Sequence, residues 1–276
     1  MFVTKADGTK QLFDRERVIG TCLRLGANRE VSEKVAQTVE AGIYEGIETE
    51  KILKMIFRQL GKHKPAVKHQ IDLREALSLM RPAPNFEHFI QILLREHGYK
   101  VIPNQIIRGR CTEHEVDAIA SKNGETYIVE VKHHYRYHTE TGLDESRILR
   151  AVLEDVTEGF ELGLNDFRID KAMIVCNTKL SKQAIEYVEC RGIHHIGWSS
   201  PRHHDLQTMI EEKKLYPITY LKGLKASDRK KITSAGIILL RDLIRKRPEE
   251  IRKETGISEK TLELILKKAR TILSYE

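Results

Sequence analysis

Two strand-like runs flank the dipeptide Asn123-Gly124, and this turn constrains the fold more than any other local feature. Both runs, at 114–120 and 126–132, are rich in β-branched and apolar residues and read as strands. Asn-Gly favours a two-residue hairpin loop because both residues tolerate positive φ. With this loop, Lys122 lies opposite Glu125, and each step back along one strand pairs with one step forward along the other. The sequence therefore predicts an antiparallel hairpin with a defined register.

That register places two carboxylates opposite each other. Asp117 is expected directly across from Glu130, with Cβ atoms about 4.5–5.5 Å apart. Like charges at this spacing repel unless one is protonated or a cation binds between them, and a divalent cation with oxygen ligands suits the pair. Lys132 follows on the same face as Glu130, where an ammonium can hold or deprotonate an attacking water and offset phosphoryl charge. The arrangement favours Mg²⁺-assisted phosphodiester hydrolysis.

The same register makes further predictions. The other expected pairs are Glu115 with Lys132, Ile119 with Ile128, Val116 with Val131, and Ala118 with Val129. The last two pairs form a self-consistent buried side. The alternative is a surface ion pair between Glu115 and Lys132, with a solvated edge at Asp117 and Glu130.

Residues 86–198 resemble the Mrr-type branch of the restriction-endonuclease-like nucleases, the PD-(D/E)xK superfamily. Asp117 followed by Glu130-Val131-Lys132 matches its catalytic signature. Supporting elements are a helix at 86–98, a long helix at 143–163 and a strand-helix-strand run at 171–197. The resemblance implies that Asp117, Glu130 and the Val131 carbonyl bind Mg²⁺ or Mn²⁺ directly, that Glu87 reaches the metal through water, and that Lys132 completes the catalytic set.

Three His-His pairs occur, but adjacent residues on a strand point to opposite faces and do not chelate one ion. Core or surface histidine is the default for them. We keep His134 as a candidate phosphate contact because it follows Lys132. The segment 133–142 mixes aromatic rings and charge, which is typical of base stacking, although a plain surface loop explains it equally well.

The charge of the chain is unevenly distributed. The net charge is +7, made up of +4 over 1–81, −6 over 82–212 and +9 over 213–276. A double-proline segment at 81–85 and a second break near Pro217 indicate three modules, at 1–81, 86–212 and 217–276. The basic last module favours a polyanion partner, and a solvated lysine-rich surface is the alternative.

The first module begins with a predicted hairpin at Asp7-Gly8 and continues as helices. The pairs expected across this loop are Phe2 with Phe13, Val3 with Leu12, and Lys5 with Lys10. Asp14 is predicted to cap a helix that begins at Arg15, and further helices are expected at 30–45 and, behind a Thr49 cap, at 49–61.

Residues 2–77 resemble the ATP-cone, a regulatory nucleotide-binding module, through Val-Thr-Lys-x-Asp-Gly, Phe-Asp-x-Glu-Arg and Thr-Glu-x-Ile. The resemblance implies a pocket for ATP or dATP lined by Lys5, Gln11, Asp14, Arg17 and Thr49. Ala6 stands where the family usually has Arg, which puts phosphate affinity or nucleotide choice in question. The alternative is that these are ordinary exposed residues on a small helical domain.

The last module carries two glycine turns between helical patterns, at Gly223 and Gly256. Residues 217–273 resemble tandem helix-hairpin-helix motifs. That resemblance implies that the backbone around both glycines, with Lys225 and Lys260, binds DNA phosphates without reading sequence. The alternative is a structural helical hairpin domain that serves dimerisation, so a homodimer is kept as an open prediction.

Composition sets outer limits on the class of protein. The chain is 40% hydrophobic and 32% charged, which excludes a disordered chain. Its apolar runs are far shorter than the ~20 residues that cross a bilayer, so no membrane partner is expected. The N-terminus lacks a signal-peptide pattern, and four scattered cysteines favour a reducing compartment. These features predict a cytoplasmic protein.

Together the patterns predict a multidomain α/β protein: a small, mostly helical ATP-cone, a central α/β/α sheet domain and an all-α C-terminal domain. The predicted function is a Mg²⁺-dependent endonuclease on double-stranded or branched DNA, regulated by ATP or dATP, in restriction or repair. One alternative is a structure-specific repair nuclease acting on branched DNA. The other is a non-catalytic, nucleotide-responsive DNA-binding regulator, although reductase repressors of that kind add a zinc ribbon to the cone.

Overall fold

A computed structural model describes residues 1–274, and its contacts divide the chain into two compact units. One unit comprises Met1–Asp72 and Ile218–Glu276, and the other comprises Leu73–Pro217. The first and third predicted modules therefore contribute to one unit, and the double-proline segment lies inside the other. The last two residues of the predicted third module, 275 and 276, lie outside the described residues.

Nine strands and twelve α-helices occur within residues 1–274. The strands are β1 Phe2–Thr4, β2 Lys10–Leu12, β3 Lys100–Arg108, β4 Glu113–Lys122, β5 Glu125–Lys132, β6 Glu140–Thr141, β7 Lys171–Cys176, β8 Lys179–Leu180 and β9 His194–Ile196. The α-helices are α1 Arg15–Arg24, α2 Arg29–Glu40, α3 Thr49–His63, α4 Leu73–Ser78, α5 Glu87–Glu96, α6 Leu143–Glu161, α7 Lys182–Arg191, α8 Leu206–Lys213, α9 Ala226–Ser234, α10 Leu240–Arg245, α11 Pro248–Thr255 and α12 Glu259–Ser274. None of these helices is both long and apolar enough to span a membrane.

The unit Leu73–Pro217 is built on a mixed five-stranded sheet with the strand order β3-β4-β5-β7-β9. The first three strands are antiparallel, and β5, β7 and β9 run parallel. Parallel neighbours need crossovers, which α6 and α7 supply. Leu149, Leu153 and Val156 of α6 pack in one core cluster with Ile128 and Ile174 of the sheet. The predicted mixed α/β fold with a central sheet and a helical C-terminus is confirmed.

The β4–β5 hairpin turns at the predicted dipeptide. Asn123 and Gly124 both have positive φ, at 53° and 83°, as a type I′ turn requires. The register runs from Lys122 opposite Glu125 to Ala118 opposite Val129. The predicted turn and register are therefore confirmed over this part of the hairpin.

Beyond Ala118 the regular pairing ends, and three predicted pairs do not form: Asp117 with Glu130, Val116 with Val131, and Glu115 with Lys132. Val116 packs in the same core cluster as Ile119 and Ile128, which were expected on the opposite face, so it does not pair with Val131. Lys132 bonds to other carboxylates and not to Glu115. The strand alternation is broken between residues 116 and 119.

Asp117 lies at this break, and two hydrogen bonds hold it there. Its Oδ2 accepts a hydrogen bond from the Val131 N–H at 2.6 Å, so the side chain takes the place of a backbone partner. On the other side, Asn104 of β3 has a φ of 45° and interrupts the β3–β4 ladder. Gln91 of α5 donates from Nε2 to the Asp117 carbonyl at 3.0 Å and to Asn104 Oδ1 at 2.9 Å.

The N-terminal hairpin forms, but its predicted register is wrong by one residue. The observed pairs are Phe2 with Leu12, Val3 with Gln11, and Thr4 with Lys10. The Gly8 N–H donates to the Lys5 carbonyl at 3.0 Å, and the Lys5 N–H donates to the Thr9 carbonyl at 2.8 Å. Gly8 alone in this loop has positive φ, at 81°. The loop is a type I turn followed by a left-handed glycine, which adds one residue and shifts every pair.

The helices that follow are at the predicted places, although the helix predicted at 30–45 ends at Glu40 and one predicted cap is wrong. Asp14 accepts a hydrogen bond from the Glu16 N–H at 3.0 Å, which confirms it as the cap of α1. The predicted Thr49 cap is wrong, because Thr49 is already helical and Glu48 precedes the helix without a side-chain cap. A bridge between Thr4 and Glu48 holds residue 48 extended, and this tertiary contact sets where α3 begins.

Two turns in the C-terminal part repeat one pattern. Gly223 and Gly256 have φ values of 75° and 61°. Each lies three residues before a helix, since α9 begins at Ala226 and α12 at Glu259. The two turns that the sequence singled out are therefore equivalent in position and backbone conformation.

Gly159 of α6 is buried against the turn that joins β3 and β4. A Cβ there would lie 2.7 Å from the Arg108 carbonyl oxygen and 2.8 Å from the Gly109 carbonyl carbon. We expect Gly159→Ala to lower the free energy of unfolding by about 2–3 kcal/mol, because overpacking outweighs the better helix propensity of Ala. Urea denaturation checks this value. Gly20→Ala in α1, which meets only the Arg24 side chain, serves as the control and should be neutral or stabilising.

Candidate active site

The residues predicted for catalysis gather where β4 and β5 separate. Asp117, Glu130, Lys132 and Glu87 are all half-buried. The Lys132 Nζ lies 2.8 Å from Glu130 Oε1, and the charges of Glu130 and Glu87 both raise the pKa of Asp117. The first turn of α5 carries Glu87, so three secondary-structure elements meet at the site.

The Asp117 carboxyl is the most strongly perturbed group of this site. Burial raises the pKa of Asp117 to about 7, helped by the neighbouring charges of Glu130 and Glu87. The hydrogen bond from the Val131 N–H and the charge of Lys132 act in the opposite direction without cancelling the rise. The site therefore holds more negative charge than its surroundings stabilise.

Glu115, which the sequence predicted as a partner of Lys132 across the hairpin, is a further acid of this site. Burial raises the pKa of Glu87, and the charges of Glu115 and Glu130 raise it further. Glu115 itself is exposed. The sequence signal for its role was its position two residues before Asp117, on the same strand.

Lys132 bridges two carboxylates. Its Nζ lies 2.8 Å from Glu130 Oε1 and 3.0 Å from Glu145 Oε2. Burial lowers the pKa of Lys132, but the hydrogen bonds to these two carboxylates outweigh it and raise the pKa above its ordinary value. Lys132 is therefore a cation at neutral pH, suited to donating hydrogen bonds. Sequence reasoning missed Glu145, whose only signal was an acid in the first turn of the long helix α6.

Helix α5 also fixes the backbone of the site. Gln91 lies one turn after Glu87, so both side chains leave the same face of α5. Gln91 is only 6% exposed and donates both of its Nε2 hydrogen bonds, to the Asp117 carbonyl and to Asn104. One helix thus supplies an acid and positions Asp117.

The predicted metal ligands provide oxygen donors only, as Mg²⁺ and Mn²⁺ prefer. Within residues 1–274, no group of three or more His, Cys, Asp or Glu side chains is arranged to hold a metal ion. The predicted set needs only the carboxylates of Asp117 and Glu130, completed by the Val131 carbonyl. These carboxylates bond to the Val131 N–H and to Lys132. Burial and the charges of Glu130 and Glu87 disfavour the charged form of Asp117, and a bound cation would stabilise that form. The residues therefore fit a cation.

The loop after β5 is anchored beside the site. Asn177 accepts a hydrogen bond from the His134 N–H and donates to the His134 carbonyl, both at 2.8 Å. The His134 ring, 3.2 Å from the Thr141 hydroxyl, is half-buried, and burial lowers its pKa. Next to it, the His133 ring packs edge-on against Tyr135, which is 66% exposed. The loop therefore presents an aromatic side chain on a rigid base near Lys132.

Three of the five residues predicted for nucleotide binding are in contact. Arg17 donates from Nη1 to Gln11 Oε1 at 3.0 Å, and its Nε lies 3.4 Å from Asp14 Oδ2. Lys5 and Thr49 directly follow the bridged residues Thr4 and Glu48. Apart from His134, the residues predicted for DNA binding lie at the two glycine turns, where Lys225 precedes α9 and Lys260 is the second residue of α12, both exposed.

The sheet and the grouping of Asp117, Glu130 and Lys132 define a restriction-endonuclease-like domain. A family model described as "Restriction endonuclease" matches residues 80–197. A second model, described as "AF1548-like, C-terminal", matches residues 216–273.

Two proteins of Archaeoglobus fulgidus match parts of the chain. An uncharacterized protein of Archaeoglobus fulgidus is 34% identical over 182 residues, which cover 66% of this chain and 98% of that protein. The crystal structure of AF1548, a protein of unknown function, superposes with a TM-score of 0.58 at 32% identity and covers 69% of this chain and 97% of that chain. The chain belongs to the AF1548-like family. A repair endonuclease from Pyrococcus abyssi matches with a TM-score of 0.30 at 18% identity, over 41% of this chain and 44% of that one.

Proposed function

We propose that this protein is a metal-dependent DNA endonuclease that hydrolyses phosphodiester bonds. The observation that carries the proposal is the grouping of Asp117, Glu130 and Lys132 at the point where β4 leaves β5, inside a restriction-endonuclease-like domain. A buried carboxylate beside other acids is unfavourable by itself, and sites of this kind are typical of function.

Asp117, Glu130 and the Val131 carbonyl would hold Mg²⁺ or Mn²⁺, with Glu87 acting through water. When bound, the ion neutralises charge on a phosphoryl oxygen and lowers the pKa of a water ligand. The Val131 N–H keeps the Asp117 carboxylate oriented. Gln91 donates to the Asp117 backbone carbonyl, so both the main chain and the side chain of Asp117 are held by hydrogen bonds.

Lys132 would act on the attacking water and on the developing phosphoryl charge. Its raised pKa favours the ammonium form, which donates hydrogen bonds and stabilises negative charge. Glu145 accepts one hydrogen bond from Lys132 at 3.0 Å and thereby orients the side chain toward the acids. This favours a positioning and electrostatic role over proton abstraction by Lys132.

The C-terminal part would bind DNA without reading its sequence. Gly223 and Gly256 occupy left-handed turns that each lie three residues before a helix, and the first backbone N–H groups of a helix suit phosphate. Lys225 and Lys260 add exposed charge next to those turns. Both features suit contacts to the phosphate backbone, which position a protein on DNA.

The N-terminal helices would bind ATP or dATP and regulate the nuclease. The supporting observation is the contact of Arg17 with Gln11 and Asp14 at the start of α1. We expect Arg17→Ala to weaken ATP and dATP binding about tenfold, because a charge-assisted contact to phosphate is worth roughly 1.5 kcal/mol or more. Isothermal titration calorimetry measures the affinity. The control is Arg15→Ala, which changes another arginine of α1 and removes its ion pair with Glu40 of α2. Equal affinities of both variants would contradict the assignment.

A cleavage assay tests the proposed function directly. The full chain is incubated with plain, modified and branched duplexes in Mg²⁺, Mn²⁺ or EDTA, with and without ATP or dATP. We expect cleavage with either metal and none with EDTA. Preference for branched duplexes would identify a structure-specific repair nuclease. DNA binding without cleavage under any condition would contradict the hydrolase and leave a nucleotide-responsive DNA-binding regulator.

A further inference from the structure

Within the unit formed by Met1–Asp72 and Ile218–Glu276, segments from the two ends of the chain pair with each other. The Lys222 N–H donates to the His69 carbonyl at 2.8 Å, and the Ile71 N–H donates to the Tyr220 carbonyl at 3.1 Å. Gln70 and Leu221 form an antiparallel bridge between them. The strand-like segment 69–71 therefore runs along the entry to the Gly223 turn.

Helix α12 adds two lysines to this place. Lys268 donates from Nζ to the Lys222 carbonyl at 3.2 Å, and a Cβ on Gly223 would lie 3.8 Å from that Nζ. Burial lowers the pKa of His69, and the charges of Lys268, Lys267 and Lys68 lower it further. We call Lys68, His69, Lys222, Lys267 and Lys268 the composite basic cluster.

The lysines of this cluster have no acidic partner among the described residues, unlike Lys34, Lys51, Lys54 and Lys246 of the same unit. Lys68, Lys222 and Lys267 are exposed, and in the described part of the chain none of them forms an ion pair. By contrast, Lys34 of α2 lies 2.6 Å from Glu30. Gathering unpaired ammonium groups around a half-buried histidine is unfavourable unless an anion neutralises them.

We infer that the composite basic cluster binds backbone phosphates of nucleic acid, so that the segment ending the N-terminal part forms one surface with the Gly223 turn. The inference rests on the proposed function, because it takes DNA as the polyanion. A polyanion that neutralises these lysines releases its own condensed counterions, which favours binding at low salt. Lys68 and His69 belong to no predicted DNA-binding motif, and the pairing with Tyr220–Lys222 brings them to the cluster.

The test compares DNA binding by Lys68→Gln and Lys267→Gln in the full chain. Fluorescence anisotropy with a plain duplex in EDTA, at several salt concentrations, separates binding from cleavage. We expect each variant to weaken binding about 3–10-fold and to reduce the slope of log K against log salt by about 0.9 per lost contact. Lys34→Gln, which removes a lysine already paired with Glu30, is the matched control and should leave both values unchanged. Circular dichroism establishes that all variants are folded.

The outcomes separate this inference from the proposed function. Wild-type affinity and salt slope in both Lys68→Gln and Lys267→Gln would overturn the inference, and metal-dependent cleavage by the same protein would still support the nuclease. Weakened ATP binding with unchanged DNA binding would also overturn it, since the cluster would then serve a nucleotide. If the two variants bind DNA more weakly and the wild-type protein does not cleave DNA, the inference is supported and the hydrolase is contradicted.

Discussion

Asp117→Asn is expected to abolish metal-dependent cleavage and to stabilise the metal-free protein. The asparagine Oδ1 can still accept the Val131 N–H hydrogen bond, so the local backbone is kept. The substitution removes a charge that burial, Glu130 and Glu87 disfavour. We expect cleavage to fall by on the order of 10³-fold, in the range seen when a key electrostatic group is lost. We expect the free energy of unfolding at pH 8 to rise by about 1–2 kcal/mol, or a few degrees in Tm.

The sign of the pH dependence follows from the same shift. The pKa of Asp117 is about 7 in the folded protein, against an ordinary value of 3.8. Between these values the folded state binds more protons than the unfolded state, so stability falls as pH rises through the window. The stabilisation by Asp117→Asn should therefore be full above pH 7 and absent below about pH 4. Thermal unfolding of both proteins in EDTA across this range measures it.

The control is Asp166→Asn, which removes an exposed carboxylate from a loop of the same unit. It should change neither cleavage nor the pH profile of stability. An Asp117→Asn protein that is less stable at pH 8 and cleaves at the wild-type rate would contradict both the strained carboxylate and its catalytic role.

Lys132→Ala is expected to lower the rate of cleavage by about 10²–10⁴-fold, the usual contribution of a positioned proton-transferring or charge-stabilising group. DNA affinity should stay within about twofold, because the lysines proposed to bind the DNA backbone, Lys225, Lys260 and those of the composite basic cluster, are unchanged. The loss should therefore appear in kcat and not in KM. Single-turnover cleavage and anisotropy measure the two quantities.

Lys182→Ala is the matched control for this variant. Lys182 lies at the start of α7 in the same unit and pairs with Glu186 on its own helix. It should leave cleavage unchanged. If Lys132→Ala cleaves at the wild-type rate, Lys132 is not part of the catalytic machinery. Anisotropy and circular dichroism of the same sample show whether the variant still binds DNA and is folded.

The sequence predicted correctly those turns and caps that depend on residues close together in the chain. Asn123-Gly124 set the hairpin because the turn geometry and the strand register depend on neighbouring residues. Asp14 was predicted as a cap for the same reason. The predicted register of the N-terminal hairpin was wrong because Asp7-Gly8 fits two turn types. Thr9 donates two hydrogen bonds to the Asp7 carboxylate, and these accompany the longer turn.

The break in β4 was not predictable from its own sequence. The alternation around Asp117 is regular in the sequence, and the strand departs from it where the Gln91 side chain bonds to the Asp117 carbonyl and Asn104 interrupts the β3–β4 ladder. Glu145 was missed for the same reason, since only the packing of α6 against the sheet brings it to Lys132. In both cases the partner is distant along the chain, and a local pattern carries no information about it.

The sequence alone determined the turn at Asn123-Gly124, the spacing of Asp117, Glu130 and Lys132, and the succession of helices and strands, because these depend on backbone preference and periodicity. Tertiary structure decided where Asp117 leaves the ladder, which carboxylates hold Lys132, and the pairing of 69–71 with 220–222. Those features depend on desolvation and on hydrogen bonds between residues far apart in the chain, and both arise only when the elements pack.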